Sequence, residues 1–438
     1  MPNVAVVVLD TLRLDAFQRH FDWLPGRRYT NAYSPSHWTV PVHGAMFTGL
    51  YPSETGVHAK SAPLDVEGPV LAERLQEAGY KTRAFSANPY VSPTFGFDRG
   101  FESFAGSWRL RQLDPELFDW MQFIDEMADE GPTRYLRALA RCVREDCRTV
   151  PSMWYGLRLK LRESDRFGGV DDDGAAETRR YVRSTDFDTK EFLYLNLMEA
   201  HTPYDPPEAY RTTDLTHGGG LEETITDSEK IDAEPVRQAY DDCVRYLSDV
   251  YKEIFAELSE AFDYIVTCSD HGELLGEHGG WAHGYGLYPQ LTNIPLVVSG
   301  DGVESGTTDE LVTLLDVHAT VIDAAGLDAD GRGRSLFGSA PRETCITEYH
   351  GLNHRRIAKL READVPSDRL AEVDQTYRGI ALQSSYSYET PEGFVGTDEA
   401  GRDRLADLIE TLDVAEPTGT DEAPSEDVLT QLEDLGYA

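Results

Sequence analysis

The sequence predicts an α/β chain with a doubly wound, mostly parallel sheet and a small C-terminal subdomain. Three observations carry this. Short apolar strands alternate with helical stretches over roughly the first 300 residues. Continuous β-branched runs mark strands buried on both faces. Polar residues able to do chemistry stand just past several strand ends, where open α/β sheets collect function.

The elements follow in chain order. Asn3 to Leu9 includes the run Val4-Ala5-Val6-Val7-Val8-Leu9, reads as a central strand and ends at Asp10. Val70 to Ala78 has helical spacing, and Gly79 beyond it is a C-cap signal. Lys81 to Ala87 reads as a second strand. Residues 107–185 break the rhythm and read as a mostly helical, aromatic-rich insertion over the sheet. Within it Arg134, Arg137, Arg141, Arg144 and Arg148 recur at three- and four-residue steps, so they line one helical face. That face is either solvated and paired with nearby acids or a collar for an anionic substrate. Phe192 to Leu197 is a strand running into Met198-Glu199-Ala200-His201, and Ala239 to Phe262 is a helix. Tyr264 to Cys268 is a strand ending in Ser269-Asp270-His271-Gly272, and Ile294 to Ser299 is another. These elements form a catalytic domain over 1–340. A small α+β subdomain follows over 341–413, with strands expected in Arg378 to Tyr386, and 414–438 is a linker with a short helix.

The formal net charge is −38, from 78 acidic and 40 basic residues spread along the chain. In dilute buffer such a surface repels itself. At molar salt the Debye length is about 3 Å and the repulsion is screened. The expectation is a halophilic, haloarchaeal-like protein of a very salty cytoplasm, with no nucleic-acid partner. The first strand starts directly after Met1 and Pro2 with no basic leader. No apolar run reaches the roughly 20 residues of a membrane span, so no transmembrane segment is expected. Cys142, Cys147, Cys243, Cys268 and Cys345 show no CxxC pairing and read as reduced core thiols.

Four polar clusters stand at or beyond strand ends: Asp10; Thr39 with His43; His201; and Asp270-His271. Carboxylate oxygens with an imidazole nitrogen are the ligand set of a catalytic divalent cation. The stretches around them are specific. Val8-Leu9-Asp10-Thr11-Leu12-Arg13, the run from Trp38 to Pro52, His201-Thr202-Pro203-Tyr204, Ser269 to Gly279, and His283-Gly284 followed by Ile294-Pro295-Leu296 all resemble segments of sulfatases. They occur in the order sulfatases have, within the alkaline phosphatase superfamily.

The resemblance implies an alkaline phosphatase-like fold and a metal-dependent ester hydrolase or transferase. Asp10, Thr39, Asp270 and His271 would hold one divalent cation (Ca, Mg, Mn or Zn), and a second at His201 and His283 is possible. Thr39 falls at the nucleophile position, with Pro41 in register. His43 falls where the family has a basic residue. His201 and His283 would flank the transferred group. Sulfatases use a formylglycine made from Cys or Ser, so none is expected from Thr39. A threonine oxygen activated by a metal can instead attack phosphorus. Thr11 replaces the family's second acid, which leaves one ligand in question. Ser34-Pro35-Ser36-His37 mimics the nucleophile pattern but lies out of register. Glu273, His278 and His58 read as structural. The substrate would be a small-molecule or glycan ester of phosphate or sulfate. The alternatives are a genuine sulfuric ester hydrolase of sulfated glycans and a non-catalytic sulfo- or phospho-glycan binder. Oligomeric state is not legible.

Overall fold

The computed structural model describes residues 1–112 and 172–415 and four positions between them, with short breaks at 216, 227–230, 329–330, 339 and 397–398. The arginine face at 134–148, most of the expected insertion, Cys142, Cys147 and the expected C-terminal helix lie outside the described residues.

The strands in chain order are β1 (Val4–Leu9), β2 (Arg27–Tyr33), β3 (Lys81–Ser86), β4 (Ser103–Gly106), β5 (Glu191–Leu197), β6 (Tyr264–Cys268), β7 (Leu274–Leu275), β8 (Trp281–Ala282), β9 (Leu296–Gly300), β10 (Gly306–Thr313), β11 (Thr344–His350), β12 (Thr376–Leu382), β13 (Ser385–Thr390) and β14 (Gly393–Val395). Eight form one sheet in the order β10-β2-β9-β6-β1-β5-β3-β4. The run β6-β1-β5-β3-β4 is parallel throughout. The strand expected at Ile294 to Ser299 is β9, and it runs antiparallel to both neighbours. Strands β11 to β14 form a separate antiparallel sheet in the C-terminal subdomain, and β7 and β8 make a small hairpin.

Strand β1 shows why a continuous apolar run is needed here. Successive side chains point to opposite faces. Val4, Val6 and Val8 enter the core under helices Thr39–Thr48, Leu71–Glu77 and Leu315–Ala324, while Ala5, Val7 and Leu9 enter the core under helices Leu14–His20 and Ala233–Ala261. Both faces are covered, so alternation with polar residues would bury unpaired groups. The Ala233–Ala261 helix begins earlier than its apolar spacing suggests, because Asp232 caps it by accepting from the Glu234 N–H. The buried cysteines Cys243, Cys268 and Cys345 are free thiols. No described helix is long and apolar enough to cross a membrane.

The helix Thr39–Thr48 carries Thr39 as its first residue. Pro41 is tolerated in the first turn because its missing N–H has no partner there anyway. Gly49 ends the helix at φ 75°, a left-handed conformation that favours glycine. A side chain there would also meet the His318 ring at 3.0 Å. The start of this helix meets the carboxyl edge of the sheet, where Asn88 Nδ2, beyond β3, donates to Thr39 Oγ1 at 3.3 Å.

Candidate active site

The carboxyl ends of β6, β1, β5 and β3 are neighbours, so the residues just beyond them converge. Asp10 continues β1, and its N–H bonds Leu197 O of β5 at 2.9 Å. Asp270 and His271 follow β6, Asn196 lies in β5, and Asn88 follows β3. Asp10, Asp270 and His271 are fully buried, and their ligating atoms lie within 4.8 Å of one another.

Each carboxylate has one oxygen tied down and one presented. Asp10 Oδ2 accepts from Asn88 Nδ2 at 2.7 Å and from Asn196 Nδ2 at 3.4 Å. Asp270 Oδ1 accepts from the N–H groups of His271 (2.9 Å) and Thr11 (3.2 Å). Asp10 Oδ1 and Asp270 Oδ2 are buried with no hydrogen-bond partner among the described residues. They lie 4.0 and 3.4 Å from His271 Nε2, and Thr39 Oγ1 lies 3.4 Å from the same nitrogen. His271 Nδ1 is engaged by Gly272 O at 2.9 Å, which turns the Nε2 lone pair toward the carboxylates.

Orphaned buried carboxylate oxygens are costly unless a cation meets them. Burial raises the Asp10 carboxyl to about 8, with Asp270 adding to the shift, and raises Asp270 to about 7. Burial also lowers His271, so the imidazole is a neutral donor. Two oxygens, one nitrogen and a hydroxyl converging on one point fit a divalent cation. Thr11 contributes its backbone N–H from a left-handed conformation, φ 56°, in place of an acid.

A cleft of about 130 Å³ opens over this point, lined by Trp38, Thr39, Tyr90, His201, His283 and Arg356, with Gly219 to Leu221 at one side. His201 Nδ1 donates to Thr202 O at 2.5 Å, and His283 Nδ1 to Glu273 Oε1 at 2.8 Å. Each bond makes Nε2 the basic nitrogen. Burial holds both imidazoles well below the usual histidine range.

The structure thus brings together Asp10, Thr39, Asp270 and His271, with His201 and His283 over them. His43 is a correction. It stands one turn below Thr39, with Nδ1 on Thr39 O at 2.8 Å and 3.9 Å from Asp270 Oδ2. It is fully buried among Phe47, Phe97 and Tyr194, outside the cleft lining, and burial pushes its imidazole down to about 3. It is a neutral packed group and brings no charge to an ester. Glu273, read as structural, is fully buried and orients His283. His58 stacks on His350 and His278 on Tyr288, neither in the cleft. Ser36 Oγ donates to Glu348 O of β11 at 2.6 Å, and Ser34 Oγ accepts from the Ser36 N–H, so this pair joins the two sheets. Asn88 and Arg356 were missed. Asn88 had the strand-end signal of β3, whereas Arg356, in helix His354–Glu362, had no local signal.

An alkaline phosphatase-like sheet with a cation-ready cluster at its carboxyl edge defines an ester hydrolase of the sulfatase kind. The sulfatase family model matches residues 2–327, and the chain belongs to the sulfatase family. It is 21% identical to choline-sulfatase of Rhizobium meliloti (strain 1021), over 75% of this chain and 68% of the relative. It is 24% identical to a sulfatase of Formosa agariphila, over 81% of this chain and 76% of that protein. Among solved structures, the phosphonate monoester hydrolase from Silicibacter pomeroyi superposes with a TM-score of 0.63 at 18% identity, covering 94% of each chain.

Proposed function

We propose that the chain hydrolyses or transfers phosphate or phosphonate esters, with Thr39 as nucleophile and a divalent cation held by Asp10, Thr39, Asp270 and His271. The observation supporting this reading is the convergence of Thr39 Oγ1 and two unpartnered carboxylate oxygens on His271 Nε2. A cation there would neutralise charge on the transferring group and lower the hydroxyl pKa of Thr39.

The chain's own residues do the rest. Thr39 Oγ1 attacks the phosphorus, the bond to the leaving oxygen breaks, and the group rests on Thr39 as a covalent ester. The start of helix Thr39–Thr48 favours negative charge at this position. His201 or His283, both neutral, can accept the proton Thr39 gives up and return it to the leaving oxygen. Glu273 keeps the His283 ring in that tautomer. Water or an alcohol then attacks the ester on Thr39, which gives hydrolysis or transfer. The hydroxyl of threonine cannot become an aldehyde hydrate, so formylglycine chemistry is not part of this reading.

A second reading, cleavage of sulfate esters, is favoured by the two relatives named as sulfatases. The net charge of −38 supports a halophilic, cytoplasmic setting for either reaction. A panel of aryl phosphate monoesters, phosphodiesters, phosphonates and sulfates, assayed in molar salt with Ca, Mg, Mn and Zn, tests the reading. Phosphorus esters should turn over in a metal-dependent way that chelation abolishes. A preference for sulfate esters would favour the second reading, and stoichiometric metal with no turnover would favour a binding protein.

A further inference from the structure

The cleft has to hold an anion inside a strongly acidic chain, and the family's basic residue beside the nucleophile is here His43, buried beneath the cleft. Among the described residues that line the cleft, Arg356 is the one Lys or Arg side chain. It comes from helix His354–Glu362 of the C-terminal subdomain, so the two parts of the chain meet at the site.

Arg356 is placed to act. Its guanidinium lies over the Trp38 ring, 5.7 Å from the centroid, and Trp38 immediately precedes Thr39. Stacking on an indole restrains a long side chain and leaves the in-plane N–H donors pointing outward. Its Nε is buried without a hydrogen-bond partner, and among the described residues no carboxylate pairs with it. Among the described residues its charge is therefore unmatched, which leaves the guanidinium donors available to an anion. The cleft volume is about 130 Å³. At ~30 Å³ per water-sized volume, that is room for one tetrahedral oxyanion and a few further atoms. An anion seated there meets Thr39 and Arg356 together, and the rest of the ester lies at the mouth.

We infer that Arg356 is a further catalytic residue, which binds the non-bridging oxygens of the transferred phosphoryl or sulfuryl group in the cleft beside Thr39. The assignment rests on the ester-transfer reading above. It makes the C-terminal subdomain part of the active site. The planar fork suits a tetrahedral oxyanion, donating two parallel hydrogen bonds.

The test has a binding arm and a turnover arm, both on the full chain. Inorganic phosphate and sulfate are titrated calorimetrically into metal-loaded wild type, Arg356→Gln and Arg356→Lys. Loss of charge-assisted bonds should weaken anion binding roughly 10- to 100-fold in Arg356→Gln. Arg356→Lys, which keeps the charge and loses the fork, should fall between. In the turnover arm kcat/KM should fall at least as far for every ester, whatever its leaving group, and thermal melting should match wild type. Anion binding unchanged in Arg356→Gln would overturn the assignment. A loss confined to esters whose leaving group carries its own acid would also overturn it, placing Arg356 on the leaving group. Because the binding arm needs no turnover, a wild type that binds phosphate through Arg356 but cleaves no ester would count against the ester-transfer reading alone.

Discussion

Asp10 and Asp270 each tie one oxygen to amide donors and aim the other at His271 Nε2. That arrangement has a pH signature. In metal-free protein their carboxyls sit at about 8 and about 7, against 3.8 in the unfolded chain. Between about pH 4 and 8 the folded state therefore holds protons that the unfolded state has lost, and its stability falls as pH rises. A divalent cation displaces those protons, so the loss should vanish once metal is bound. Melting of chelator-treated and metal-loaded protein from about pH 5 to 8 checks this: the gap between the two should widen as pH rises. A constant gap would mean that no cation binds these carboxylates. The same residues show what a sequence reveals. Asp10, Thr39, Asp270 and His271 were legible because strand ends and motif order mark them. Glu273 sits in the same motif, yet its role depends on a hydrogen bond to His283 ten residues on, across a hairpin. His43 was misplaced because position beside a nucleophile in sequence does not say which way a helical side chain points.

At the scale of elements, strands buried on both faces were the clearest signal. β1, β5 and β6 lie within a residue of their expected bounds, since each is buried along nearly its whole length and is therefore predominantly apolar. β2, Arg27–Tyr33, was not legible: near the sheet edge, it opens on two arginines and carries Thr30 and Asn31 between its buried positions. The direction of β9 was also hidden. An apolar run fixes burial, whereas orientation depends on the connection, and the 270s loop returns β9 antiparallel beside β6. The helix His354–Glu362 was invisible as part of the site for a related reason. Its Ile357 and Leu360 pack into the C-terminal subdomain core, which looks like ordinary amphipathic patterning, while Arg356, just before them, lines a cleft built by distant segments.

For the whole molecule, the balance of 78 acidic and 40 basic side chains is the largest unused quantity. If this surface is adapted to salt, raising KCl from about 0.1 to about 3 M should raise the melting temperature by several degrees, because screening removes a self-repulsion that only the compact state suffers strongly. A melting temperature that stays flat or falls would remove the halophilic reading without touching the site. The proposed reaction centres on one hydroxyl, that of Thr39. Mass spectrometry of enzyme quenched during turnover of a phosphate ester tests that assignment most directly. The transferred group should lie on the peptide containing Thr39, persist at lower yield in Thr39→Ser, and be absent in Thr39→Ala, whose turnover should drop by roughly 10³-fold or more while metal stays bound more weakly. An adduct on any other peptide, or full activity in Thr39→Ala, would contradict the account.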